Sequence, residues 1–161
     1  MKYVLTAGTA LLLVACGSQS VTMQPGQWNM TMKVTGVEAP GMPEAALAQM
    51  RAQMGSQTQT RSECITPQQA ANPTGDMVNA GGMNCQLTDN TFAGGNINVR
   101  GTCQQAGQSV QMSMQGTYTA TTMQARLTTE MRAPPGMPGG AQSIRSTIEL
   151  TGNRTGDCAS S

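Results

Sequence analysis

Apolar and polar residues alternate at period two along most of the chain. Trp28, Met30, Met32 and Val34 alternate with Asn29, Thr31, Lys33 and Thr35, and Val110, Met112, Met114, Gly116 and Tyr118 alternate with Gln, Ser and Thr. Met123, Ala125, Leu127, Thr129 and Met131 continue the pattern, and Ile144, Ser146, Ile148, Leu150 and Gly152 close it. This periodicity predicts half-buried antiparallel strands. A strand over Gln57 to Ile65 with a thin apolar face and a hairpin around Ala93-Gly94-Gly95 bring the total to about seven. The intervening positions are Thr, Gln, Ser and Arg, so one side of the sheet is expected to face water.

Two short helices are predicted from their end signals. Pro43 opens the first where a missing N–H costs nothing, Leu47, Met50 and Met54 form its apolar stripe, and Gly55 can end it. Thr66 and Gln69 form a capping box for the second, with Pro67 in its first turn and Pro73 soon after its end. The segments Ala39 to Pro43 and Pro134 to Gly139 echo each other as Pro-Gly-rich loops. The expected fold is all-β: an antiparallel meander, strongly curved or closed into a small barrel, with the Pro43 to Met54 helix across one opening. The in-strand glycines Gly101, Gly116 and Gly152 suggest bends. A β-sandwich is the alternative.

The first residues follow a different rule. Lys2 precedes an apolar run from Tyr3 to Ala15, too short to span a bilayer but of the length and order of a signal peptide. Leu13-Val14-Ala15-Cys16 resembles the lipobox of bacterial lipoproteins, which implies cleavage before Cys16, acylation of its thiol and a lipid-anchored product. Gly17 stands where inner-membrane retention signals usually place Asp, so the resemblance implies the outer membrane, facing the periplasm. The expected organisation is a leader over 1–15, a lipidated start and tether over 16–25, and one domain over 26–161.

Compartment changes the reading of the cysteines. Beyond Cys16 there are four, Cys64, Cys85, Cys103 and Cys158, an even number suited to an oxidising environment. Four cysteines allow three connectivities. If Ala93-Gly94-Gly95 is a three-residue loop, Phe92 faces Asn96 and counting outward sets Cys85 opposite Cys103, on the same face as Leu87, Ile97 and Val99. That register favours Cys85 with Cys103, which leaves Cys64 with Cys158.

Four landmarks occur in order: Gly26-Gln27-Trp28, Gly41-Met42-Pro43, Cys64-Ile65-Thr66-Pro67-Gln68-Gln69-Ala70 and Gly156-Asp157-Cys158. In these the chain resembles a family of Gram-negative envelope proteins catalogued as domain of unknown function 3617. The resemblance covers nearly all of the chain after the leader. It implies a compartment and domain limits, and no catalytic residues.

Composition narrows the chemistry. The chain has no histidine, which removes Ser-His-Asp and Cys-His catalysis and the commonest transition-metal ligand. Carboxylates Glu38, Glu44, Glu63, Asp76, Asp89, Glu130, Glu149 and Asp157 are scattered, and no motif pairs two for acid and base work. Without Lys2, eight basic residues face eight acidic ones, so the charge excess that nucleic-acid binding uses is missing. Gly81-Gly82 and Gly94-Gly95 read as turns.

The expected function is therefore a non-enzymatic role, structural or partner-binding, without cofactors, with the membrane met through the lipid and an envelope protein or hydrophobic ligand as partner. A carrier of hydrophobic ligand or lipid is the alternative, and it calls for an apolar cavity of roughly 300 Å³ or more. Cu(I) binding is a lesser one, because Met30-Thr31-Met32 and Met112-Ser113-Met114 offer thioethers, although the same spacing is that of one strand face. Native mass spectrometry of the protein from its own envelope is expected to show a chain beginning at lipidated Cys16 with both bridges formed. Unmodified Cys16 or four free thiols would overturn this reading of the compartment.

Overall fold

The computed structural model describes residues 21–55, 57–74, 84–105, 107–136 and 140–159. The leader, Cys16, Asp76, Gly81-Gly82 and Met137 to Gly139 lie outside them. Seven strands run in the order expected from the alternation: β1 (Gly26–Glu38), β2 (Thr58–Ile65), β3 (Asn84–Ala93), β4 (Asn96–Gln105), β5 (Gln108–Tyr118), β6 (Thr122–Arg132) and β7 (Ser143–Gly156). Helix α1 (Glu44–Gly55) joins β1 to β2, and the single turn-and-a-half of α2 (Pro67–Ala71) follows β2. The capping box of α2 is present in full: Thr66 N–H donates to Gln69 Oε1 at 2.8 Å and Gln69 N–H to Thr66 Oγ1 at 3.3 Å.

All seven strands form one antiparallel sheet in the order β2-β1-β7-β6-β5-β4-β3. From β3 to β7 the chain meanders between neighbours, and β1 then adds to the far side of β7. Of the two forms expected, the sheet takes the open one: β2 and β3 are its edges and do not pair. The reason lies in β2, whose residues are exposed except for a half-buried Ile65, so meeting β3 would bury almost nothing.

One face of this sheet carries the core. Trp28, Ile97, Val99, Met114, Tyr118, Met123, Ala125 and Leu150, from β1, β4, β5, β6 and β7, join in one buried cluster with Met23. Trp28 and Val99 are each 0 % exposed. A flat single layer cannot cover its own face to that degree, and α1 packs at the far end of the sheet, in a second cluster of Leu47 with Val37, Ala39 and the half-buried Ile144 of β7. The cover therefore comes from curvature of the sheet itself, completed by residues 21–25 and by the segment from α2 to Thr74, where Ala70 and Thr74 are buried.

Residues 21–25, the last part of the expected tether, are bound to the sheet. Val21 to Pro25 crosses one end of the curved sheet as a strap. Tyr118 Oη donates to the Val21 carbonyl at 3.1 Å, Gln24 N–H to Ala120 at 2.9 Å, Trp28 Nε1 to Gln24 at 3.0 Å and Arg154 Nε to Pro25 at 2.8 Å. Val21 and Met23 alternate with Thr22 and Gln24, so the strap turns one apolar edge inward, and Met23 is 5 % exposed.

The hairpin register holds a compensated difference. The β3–β4 turn has two residues, Gly94 and Gly95, both at positive φ (60° and 81°), as a type I′ turn requires. Phe92 thus faces Ile97 rather than Asn96. A bulge between Leu87 and Asp89 takes up the extra residue at Thr88, and beyond it Leu87 faces Gly101 and Cys85 faces Cys103.

Cys85 and Cys103 are bonded across these strands, and Cys64 is bonded to Cys158 over a separation of 94 residues. The second bridge fastens edge strand β2 to the C-terminal end of β7, beside the strap. Replacing both Cys64 and Cys158 by Ala is expected to remove about 4 to 5 kcal/mol of stability in urea unfolding, the loop-closure value for so long a loop. A loss below about 1 kcal/mol would mean that the crosslink restrains little in the unfolded chain.

Candidate functional site

The polar face of the sheet is a ladder of compensated charges. Arg126 lies 3.6 Å from Glu149, Arg100 4.0 Å from Asp89, and Arg145 2.7 Å from Glu130 and 3.8 Å from Glu38. The bond to Glu130 and the charge of that carboxylate, with Glu38 adding to it, raise the already high pKa of Arg145. Exposed pairs of this kind contribute little to stability, and they leave no uncompensated patch along these strands. Among the described residues no three His, Cys, Asp or Glu side chains group closely enough to hold a metal ion. No described helix is long and apolar enough to cross a membrane.

The apolar face offers a more specific feature. A recess of about 200 Å³ lies beneath the strap, lined by Met23, Met30, Met32, Met123, Ile65 and Leu150, with Gln69 of α2, Pro73 just beyond it and Arg61 and Glu63 from β2 completing its walls. Met30 and Met32 come from one face of β1, Met123 from β6, Met23 from the strap and Ile65 from the edge strand. Register explains why they meet. Gly152 of β7 lies between Met30 of β1 and Met123 of β6 as their common partner. A Cβ at 152 would come within 2.7 Å of Met30 Sδ and 3.5 Å of Met123 Cβ, so the missing side chain is what lets the Met30 thioether lie against β7.

Two larger hollows have other linings. One of about 590 Å³ opens between the β4–β5 turn and the β6–β7 loop, with Gln108, Ser109, Gln111, Glu130 and Arg132 among its walls, and is about as polar as apolar. One of about 240 Å³ lies between β1 and α1. Of these three the methionine recess has the predominantly apolar lining, and it is smaller than the roughly 300 Å³ at which small-molecule pockets begin.

The sequence-predicted residues are distributed as follows. Met30 and Met32 reach the recess, but Met112 and Met114 do not join them, because β5 is separated from β1 by β7 and β6. Met114 is buried in the core, and Met112 places its Sδ 3.3 Å from the bonded Sγ of Cys103. Cys64 and Cys158 sit at the strap end, Cys85 and Cys103 at the opposite end of β3 and β4. The contributions of Met23, Met123 and Gly152 were not visible in any local motif, since the recess is assembled from four separate segments.

The roles of the in-strand glycines can be separated by experiment. Gly152→Ala meets a flexible thioether and is expected to displace Met30 into the recess at a cost of about 1 kcal/mol. A Cβ at Gly116 would fall on the Gln124 carbonyl and the Ala125 backbone instead, so Gly116→Ala is expected to cost more, up to about 3 kcal/mol. Equal costs in urea unfolding would contradict this account of how Met30 is seated.

Comparison with known proteins adds a family. No curated protein and no solved structure matches the chain. The family described as protein of unknown function (DUF3617) matches residues 23–158, from the buried methionine of the strap to the last bonded cysteine. Spanning most of the strap, all seven strands and both bridges, that match shows that the chain belongs to the DUF3617 family.

Proposed function

We propose that this chain is a non-enzymatic envelope lipoprotein, anchored through Cys16 to the outer membrane on its periplasmic side, whose domain binds a partner protein through the methionine recess. The anchor is supported by the basic start, apolar run and Leu13-Val14-Ala15-Cys16 of the sequence. Diacylglycerol with an added amide-linked chain exceeds what stable anchoring requires, at about 0.8 kcal/mol per buried methylene. A binding rather than catalytic role is supported by the lack of histidine and the dispersal of the carboxylates.

The observation that carries the partner-binding reading is the size and lining of the recess. About 200 Å³ is too little for a whole lipid and suits about one large apolar side chain, the form in which a partner's anchor residue enters a pocket. Four methionines make walls that adapt to such a side chain. Arg61 and Glu63 place opposite charges beside it, which orient a partner without adding net charge. Edge strand β2 carries both and is exposed, so the recess is reachable.

A photoreactive benzoylphenylalanine in place of Arg61, irradiated in the native envelope, is expected to give one discrete protein adduct, diminished by Met32→Arg in the same chain. A lipid adduct would favour the carrier of hydrophobic ligands instead. Absence of any adduct from a correctly bridged protein would defeat both.

A further inference from the structure

We infer that the domain stands end-on against its membrane, with the strap, the β3–β4 turn and the β5–β6 turn facing the lipid headgroups and with α1 and the β6–β7 loop directed away. This rests on the lipid anchor proposed above, and adds to it the surface that meets the bilayer. The first support is reach. The chain is bound to the domain from Val21 onward, where Tyr118 holds its carbonyl. Cys16 precedes Val21 by five residues, a path of at most about 18 Å even when fully extended.

Strand direction then decides which end is near. Gly26 at the start of β1, Ile65 at the end of β2, Ala93 and Asn96 around the β3–β4 turn, Tyr118 and Thr122 around the β5–β6 turn and Gly156 at the end of β7 all lie at the strap end. Strands β5 and β6 have 11 residues each, a length of roughly 36 Å. With the far end on the bilayer, Val21 would stand about twice as far from the surface as the chain can span. That arrangement is excluded.

The second support is charge, and it selects end-on contact over a domain lying on its side. The near turns are Ala93-Gly94-Gly95-Asn96 and Thr119-Ala120-Thr121-Thr122, and α2 opens with Thr66-Pro67-Gln68, none of them ionisable. Among the described residues the ions at this end are Arg154 and Asp157, which are paired with each other, and Glu63, which lies level with Arg154 across Trp28. The far end holds Glu38, Glu44, Arg51, Glu130, Arg132 and Arg145, and the polar side of the sheet holds Lys33, Arg126 and Glu149. Pressing those sides to the membrane would strip water from charges, whereas hydroxyls and amides of the near turns can exchange water for headgroup phosphate and carbonyl oxygens.

The test uses the full lipidated chain in vesicles of phosphatidylethanolamine and phosphatidylglycerol, some headgroups bearing a nitroxide quencher. A fluorophore is attached through Ala93→Cys or Thr121→Cys at the near end, and through Ala45→Cys or Gln108→Cys at the far end, each variant first checked by mass for both native bridges. Near-end probes are expected to be quenched several-fold more than far-end probes. Equal quenching, or stronger quenching at the far end, in protein that floats with the vesicles would overturn the orientation and leave the anchor standing. If the protein does not float with vesicles, or Cys16→Ala floats equally well, the anchor fails and the orientation with it.

Discussion

A single antiparallel sheet with one apolar face has to find cover for that face, and in this chain the demand centres on Trp28. Its indole has no exposed surface, and its N–H donates to Gln24 in the strap. No second sheet exists among the described residues to supply the cover, and α1 packs at the far end of the sheet, away from Trp28. Curvature brings β4 and β5 to the same cluster as β1, and the strap closes what remains. The placement of the recess and the immobilisation of Val21 to Pro25 both follow from that closure.

Methionine suits this arrangement for a physical reason. A curved sheet presents uneven gaps on its inner face, and beyond the leader the chain has only one Trp, one Phe and one Tyr to fill them. Unbranched thioethers conform to irregular space at low cost in packing, and polarizable sulfur adds to their contacts. Met123, at 1 % exposed, acts as plain core, while Met30 and Met32 are half-buried at the wall of the recess. One residue type thus serves both the interior and its opening, and the boundary between them is set by Gly152.

Strand identity was legible because a half-wetted sheet must alternate, and every strand core named from the alternation lies within an observed strand. The α2 start was legible because Thr66 and Gln69 satisfy each other's backbone locally. Two features were not. A bulge inserts one residue without changing composition, so the β3–β4 turn was read one residue too long, and the facing of Cys85 and Cys103 emerged because the bulge at Thr88 restored the count. The strap was read as tether because its binding depends on Tyr118, Ala120 and Arg154, all far away in sequence. The recess was hidden for the same reason.

The position of β1 between β2 and β7 has a consequence for the order of assembly. Strands β3 to β7 each pair with a sequence neighbour, so they can zip up as successive hairpins, and Cys85 and Cys103 come together within the first of these. β1 pairs with β7 only after nearly the whole chain is available, because Trp28 lies opposite Arg154. Contacts that distant in sequence form late. The strand made first is thus seated last, and the link between Cys64 and Cys158 then acts as a latch, since it ties β2, the partner of β1, to the C-terminal end of β7.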